Sequence, residues 1–193
     1  FRLTLSTLET YIDLKKAGYA VDESKMMQAA QYIFNYINYP RTNYRISSED
    51  VITSSYVLSR MANKEQFASP VVRAKLVAYA SDNQLVHRSL STPALAYLSI
   101  LSAQEGFGIR TTSRLFAEFE NRSNIDARGT TVNMNPDAPS RFTENAIVNT
   151  ALALKAFSEA KRDTPLLEGY LRAMKTGKAR DGGWGSTYNT ILV

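Results

Sequence analysis

Apolar residues recur at helical spacing in short blocks, and each block is closed by glycine, proline or a cluster of small polar residues. Leu5, Leu8, Tyr11, Ile12 and Leu14 predict a first helix over 3–17, stopped by Gly18. Asp22 is placed to cap a second, which carries Met26, Met27, Ala30, Ile33, Phe34 and Ile37 and ends before Pro40, whose ring disfavours helical geometry at Tyr39. At 46–51 the run Ile-Ser-Ser-Glu-Asp-Val has the makings of a helix start, with Ser47 as cap, Asp50 reaching back and Ile46 stapled to Val51. That third helix presents Ile52, Tyr56, Val57 and Met61. A fourth opens at Ser69-Pro70 and is lined by Val72, Leu76, Val77 and Tyr79.

The pattern continues in the second half. Thr92-Pro93 opens a fifth helix through Leu95, Leu98 and Leu101 to a stop at Gly106, and Thr111 or Thr112 opens a sixth through Leu115, Phe116 and Phe119. Helical periodicity then lapses over 121–141. A surface excursion, irregular or a small β-hairpin, is expected there, with 127–132 the part able to pair as short strands. Thr143-Glu144 opens a seventh helix with Ile147, Ala151, Leu152, Leu154 and Phe157; Thr164-Pro165 opens an eighth with Leu167, Tyr170, Leu171 and Met174, stopped by Gly177.

Helix starts near Leu3, Ser47, Thr92, Thr143 and Ser186 recur at roughly 45-residue intervals, the range of repeated helix pairs. Small residues crowd the odd-numbered helices, at Ser54, Ser55, Ala94, Ala96, Thr150, Ala151 and Ala153, and small residues let helices approach closely. The predicted class is therefore all-α, an α/α toroid or an open arc of one, with the odd helices on an inner ring. Residues 1–193 read as a single domain. Phe1 enters straight into a periodic segment and Ile191-Leu192-Val193 stops a helix just begun, so the expectation is a fragment of a larger toroid domain.

Composition narrows the chemistry. With 193 residues and 44% hydrophobic content the chain can bury a sizeable core. It has no cysteine, which excludes disulfides, thiolate metal sites and a cysteine nucleophile from this stretch. The net charge of +5 is spread along the chain without a basic run, giving a mildly basic surface and no nucleic-acid signature. Nothing approaches an 18-residue apolar run, so no segment is expected to insert into a membrane.

Candidate reactive groups are few. His87 is the only histidine, and with no Gly-x-Ser-x-Gly elbow and no second histidine it reads as a structural or surface residue. Glu49, Asp50, Glu144 and Asp181 stand near starts of inner helices, where a toroid enzyme would keep its paired carboxylates. Capping and dipole chemistry favour acids at the same places. Arg172, Lys175, Lys178 and Arg180 could hold a phosphate, yet most of them offset the carbonyl end of the eighth helix. Asn121-Arg122-Ser123 matches a glycosylation acceptor, a pattern common by chance. No catalytic, metal or cofactor-binding residue is assigned.

The most distinctive stretch is Arg180-Asp181-Gly182-Gly183-Trp184-Gly185-Ser186-Thr187-Tyr188-Asn189-Thr190, which holds three of the nine glycines and the single tryptophan. Glycines at 182, 183 and 185 imply a tight turn, Trp184 can plug a gap between helices, and Ser186 or Thr187 can cap the next one. Together with Thr150-Ala151-Leu152-Ala153-Leu154 and Thr164-Pro165-Leu166, this segment resembles the late part of the thioester-containing domain of alpha-2-macroglobulins, where an Asp-Gly-x-Trp-Gly-Ser-Thr-Gln turn leads into one of the last inner helices. Tyr188 stands where Gln is usual. Lys15-Lys16-Ala17-Gly18-Tyr19-Ala20-Val21 is similar to the Ala-Gly-Tyr-x-Val join of the bacterial branch.

The resemblance covers both ends of the chain, and the middle matches in helix layout. It implies an α/α toroid of about a dozen helices, of which this chain supplies roughly the last two thirds. The Cys-x-Glu-Gln thioester motif is absent here, so no thioester residue can be assigned. Asp181, Gly182, Gly183, Trp184, Gly185, Ser186 and Thr187 form a structural family turn. The implied function is part of a protease-trapping protein of the bacterial periplasm or cell envelope, not itself an enzyme and without cofactor. Its partners would be the trapped proteases and other domains of the same chain. Alternatives from other classes are a toroid enzyme of terpenoid-cyclase or glycosidase type and a non-catalytic helical-repeat module that binds another protein.

Overall fold

The computed structural model describes residues 1–39, 46–138 and 145–178, together with Gly183. The described chain is mainly α-helical, with one two-stranded sheet, and separates into two compact units, Phe1–Ala78 and Tyr79–Val193.

In the first unit, α1 (Arg2–Lys16), α2 (Glu23–Asn38) and α3 (Ser48–Ser59) pack on one another. The residues they bury are those the periodicity singles out: Leu5, Leu8 and Ile12; Met26, Ala30, Ile33 and Ile37; Val51, Ile52, Tyr56 and Val57. Each of the Leu, Ile, Val and Met side chains among them stabilises the fold by about 1.5–3 kcal/mol relative to exposure. Leu14 stays exposed and Tyr11 half-buried. Gly18 stops α1 as expected: at φ +87° it lets its own N–H reach the Lys15 carbonyl (3.1 Å) while Tyr19 N–H reaches that of Leu14 (3.0 Å). Asp22 caps α2 by accepting from Lys25 N–H at 3.1 Å. Ser47 caps α3, accepting from Asp50 N–H at 3.1 Å, and its hydroxyl donates to the Asp50 carboxylate at 2.8 Å. At the far end of α3, Arg60 folds back over the Tyr56 ring and pairs with Glu9 and Asp13 of α1. A 3-10 turn at Lys64–Phe67 places Phe67 edge-on to Phe34, and α4 (Pro70–Ser81) starts where Ser69-Pro70 predicts, carrying the boundary between the units. Pro40 falls in 40–45, outside the described residues.

The second unit opens with a π-type turn at Leu85–Ser89 and then α5 (Thr92–Glu105). The cap of α5 is Ser91, one residue before the expected Thr92, because the Thr92 hydroxyl is committed to the Asn133 carbonyl (3.2 Å). Gly106 closes α5 at φ +67° as expected. α6 (Ile109–Asn121) begins before Thr111: Gly108, at φ +104°, turns the chain directly into the helix, and the Thr112 hydroxyl bonds instead to Ser102 and the Gly108 carbonyl. α7 (Ala146–Glu159) is capped by Asn145, which accepts from the N–H groups of Ile147 and Val148 at 3.0 Å. Thr143 and Glu144, the expected start, lie in 139–144 outside the described residues. α8 (Leu167–Gly177) starts after a turn in which the Thr164 hydroxyl accepts from Leu166 N–H and donates to Glu120. Gly177 is the last residue of α8 and not a left-handed stop; Lys178 leaves it extended.

The surface excursion proves to be a hairpin that is half core. β1 (Ser123–Asp126) pairs antiparallel with β2 (Gly129–Val132), Ser123 opposite Val132, around a two-residue turn in which Asp126 accepts from Arg128 N–H at 2.7 Å. β1 is largely exposed. β2 is buried against α7 and α8, with Val132 N–H donating to the Thr150 hydroxyl at 3.0 Å. Gly129, at φ +137°, lies so close to α8 that an added Cβ would stand 2.5 Å from the Gly169 carbonyl oxygen. A Cβ on Gly169 would overlap the Thr130 hydroxyl in turn. Phe116, Phe119, Phe157 and Tyr170 complete an aromatic cluster between α6, α7 and α8, with successive ring centroids 4.9–6.3 Å apart.

Candidate functional site

The strongest concentration of buried polar chemistry lies where α6 ends and β1 begins. α6 is amphipathic, and its inner face delivers Glu118 one turn before Arg122. Both side chains are only 6% exposed, and Arg122 Nε donates to Glu118 Oε1 at 2.9 Å. The rest of the guanidinium serves the π-type turn: Nη2 donates to the Val86 carbonyl (2.8 Å), and Nη1 to the Leu90 carbonyl (3.2 Å) and the Thr92 hydroxyl (3.4 Å). Asn135 adds its amide to the carbonyls of His87 (3.3 Å) and Leu90 (3.0 Å), so donors from two directions satisfy a turn whose own hydrogen bonding is irregular.

His87 sits on this turn with its Nδ1 2.6 Å from Glu118 Oε2. The carboxylate, already paired with Arg122, accepts only, so Nδ1 carries the proton and Nε2 is the ring atom left for other chemistry. Its side chain is 43% exposed. A half-exposed imidazole oriented by a buried carboxylate is the base-and-orienter portion of a hydrolytic triad. Among the described residues no hydroxyl is hydrogen-bonded to His87. The arrangement supplies an imidazole held by Glu118 and side-chain donors that staple the turn.

The other candidates separate. Glu49 is buried with a partner of its own, and Asp50 is divided between the Ser47 hydroxyl and Arg2 Nε at 3.4 Å. Asp50 thus serves the start of α3, while Glu144 and Asp181 lie outside the described residues. Arg172, Lys175 and Lys178 are exposed near the end of α8, and Arg180 lies outside the described residues. In the sequon-like stretch the Asn121 amide donates to Glu118 (3.2 Å), Arg122 is the buried guanidinium, and the Ser123 hydroxyl is engaged by the Phe119 carbonyl (2.7 Å) and Tyr170 (2.8 Å). The folded segment is structural. Of the glycine- and tryptophan-bearing stretch near the end of the chain, Gly183 is described and half-buried; Asp181, Gly182, Trp184, Gly185, Ser186 and Thr187 lie outside the described residues. Among the described residues no group of three or more histidines and acids is placed to hold a metal ion, and no helix is long and apolar enough to cross a membrane.

Sequence reasoning missed Glu118, Arg122 and Asn135. The Glu-x-x-x-Arg spacing was a visible signal, but on a helix it ordinarily marks a solvated pair. No protein-family model, no curated protein and no solved structure matches the chain.

Proposed function

We propose that this chain is a non-catalytic helical-hairpin region of an alpha-2-macroglobulin-like protease trap, belonging to an α/α toroid domain whose reactive thioester, if the parent protein has one, lies elsewhere in that protein. The observation that carries the reading is the helix layout within each unit. Odd-numbered helices pack on one another, α1 on α3 and α5 on α7, while α2, α6 and α8 each pack on the odd helix they follow and α2 also on α3. An arc of inner helices backed by outer ones needs that arrangement. The Ala17-Gly18-Tyr19 join, with its left-handed glycine, supports it where the sequence resemblance is strongest at the first end.

On this reading the parent protein resides in the bacterial envelope and its partners are proteases and neighbouring domains of its own chain. The carboxylates Asp50 and Glu118 are occupied by capping and ion pairing, which favours the trap over a toroid glycosidase or terpenoid cyclase. The test uses the intact parent protein mixed with endopeptidases of several classes. A trap is cleaved once or a few times and then holds the protease, which keeps its activity on small peptides and loses it on proteins. Proteases that stay free and fully active on protein substrates would sink the proposal. Sensitivity of retention to methylamine distinguishes a covalent arm from simple enclosure.

A further inference from the structure

A second feature of the Tyr79–Val193 unit lies away from His87, where α7 turns into α8. The turn there closes as the one after α1 does: Lys161 N–H bonds to the Ser158 carbonyl (3.1 Å) and Arg162 N–H to that of Phe157 (2.9 Å). The residue in the left-handed position, however, is Lys161 at φ +51°, the one non-glycine residue with positive φ among those described. A lysine there is less favourable than the glycine found at positions 18 and 106, and strain kept in this way points to a role for the side chain.

Lys161 lines an open cleft of about 630 Å³ whose wall and floor include Leu154, Phe157, Leu167 and Leu171. Leu171 is 46% exposed although it is a large apolar residue on an otherwise amphipathic helix. Arg162 lies on the same rim, held by an Nη2 bond to the Ser113 hydroxyl (2.9 Å) and by its stacking 5.0 Å over the Phe116 ring. Among the described residues the other N–H groups of its guanidinium have no hydrogen-bond partner, and neither has the Lys161 ammonium. Lys155 on the rim is engaged with a neighbour of its own, and Asp163 is the single carboxylate of the lining. The Lys161 ammonium and the Arg162 fork, preoriented by Ser113 and Phe116 with guanidinium N–H groups to spare, thus line the rim of an apolar cleft of a size suited to a small ligand.

We propose that this cleft binds a small amphiphilic carboxylate, an acyl chain on the leucines and Phe157 with its head group on Lys161 and Arg162. Decanoate, held below its micellar concentration, is titrated into the full chain and followed by NMR shifts and calorimetry, with decylammonium as the control of opposite charge. Saturable decanoate binding is expected, and decylammonium should not compete. Lys161→Gly should weaken decanoate about tenfold or more, the size of one lost charge-assisted contact, while its thermal midpoint holds or rises, because glycine suits the left-handed position. Leu171→Asp, at an exposed site, should abolish binding with the fold intact. The proposal is overturned if decanoate does not saturate, if decylammonium binds equally well, or if Lys161→Gly and Leu171→Asp bind as the unaltered chain does.

Discussion

The Glu118 carboxylate holds two partners of unequal weight, the Arg122 guanidinium and the His87 imidazole. Arg122 is enclosed and has nowhere to send its charge, whereas His87 is 43% exposed and can be solvated without it. Removing the carboxylate therefore strands a buried guanidinium, and removing the imidazole does not. Glu118→Ala is expected to destabilise the chain by about 3–5 kcal/mol, and His87→Ala by less than about 1 kcal/mol. Urea unfolding of the two variants checks the ranking; equal losses would mean that the imidazole, and not Arg122, is the main partner. The same comparison shows what single residues disclose beforehand. Asp22, Ser47, Gly18 and Gly106 act as their types suggest, since a cap or a left-handed stop is settled within four residues of chain. Arg122 was opaque because the carbonyls it serves, at 86 and 90, are more than thirty positions away.

The contact of β2 with α8 turns on two glycines that face each other across it. Glycine within a helix costs about 1 kcal/mol against alanine, so Gly169→Ala would stabilise an isolated α8. Here the new methyl would meet Thr130, and relieving an overlap with backbone and side chain so enclosed costs typically about 1–3 kcal/mol. The second effect should prevail. Gly169→Ala is expected to lower the denaturation midpoint, and Thr130→Ala in the same background should restore part of the loss; a Gly169→Ala chain that is more stable would refute the close packing. This also explains why 121–141 read as a surface excursion. Its polar composition reflects β1 and the turn, while the burial of β2 rests on Gly129 and Thr130, which carry little hydrophobic signal. The eight α-helices of the described residues, by contrast, were legible, most of them from an apolar stripe at 3.6-residue spacing and α5, buried on nearly all sides, from the Pro93 start and the Gly106 stop that bound it.

For the molecule as a whole, charge and pH set the working range. Tyr170 is wholly buried, and burial pushes its phenol above the ordinary tyrosine value, with the Ser123 hydrogen bond opposing and the nearby Glu120 charge adding to the rise. A raised acid keeps its stabilising protonated form below the unfolded pKa of about 10 and loses that contribution as pH climbs towards the folded value. Between pH 7 and pH 11 the chain should therefore lose more stability than Tyr170→Phe, even though that variant is weaker at pH 7 by roughly 1 kcal/mol for the missing hydrogen bond. Chemical denaturation of both at the two pH values isolates the effect, and parallel losses would rule it out. On the acid side, backbone N–H groups of Lys25 and Arg128 hold the carboxyls of Asp22 and Asp126 below the usual range, so their contribution is present at neutral pH and fades as pH falls. Arg122 has a further consequence at this scale. It joins the end of α6, the π-type turn and the start of α5, and Asn133 N–H closes on its carbonyl at 2.9 Å. None of these segments can open alone without exposing the others' donors, so their amides should exchange with solvent hydrogen as one cooperative unit, at a common free energy of opening.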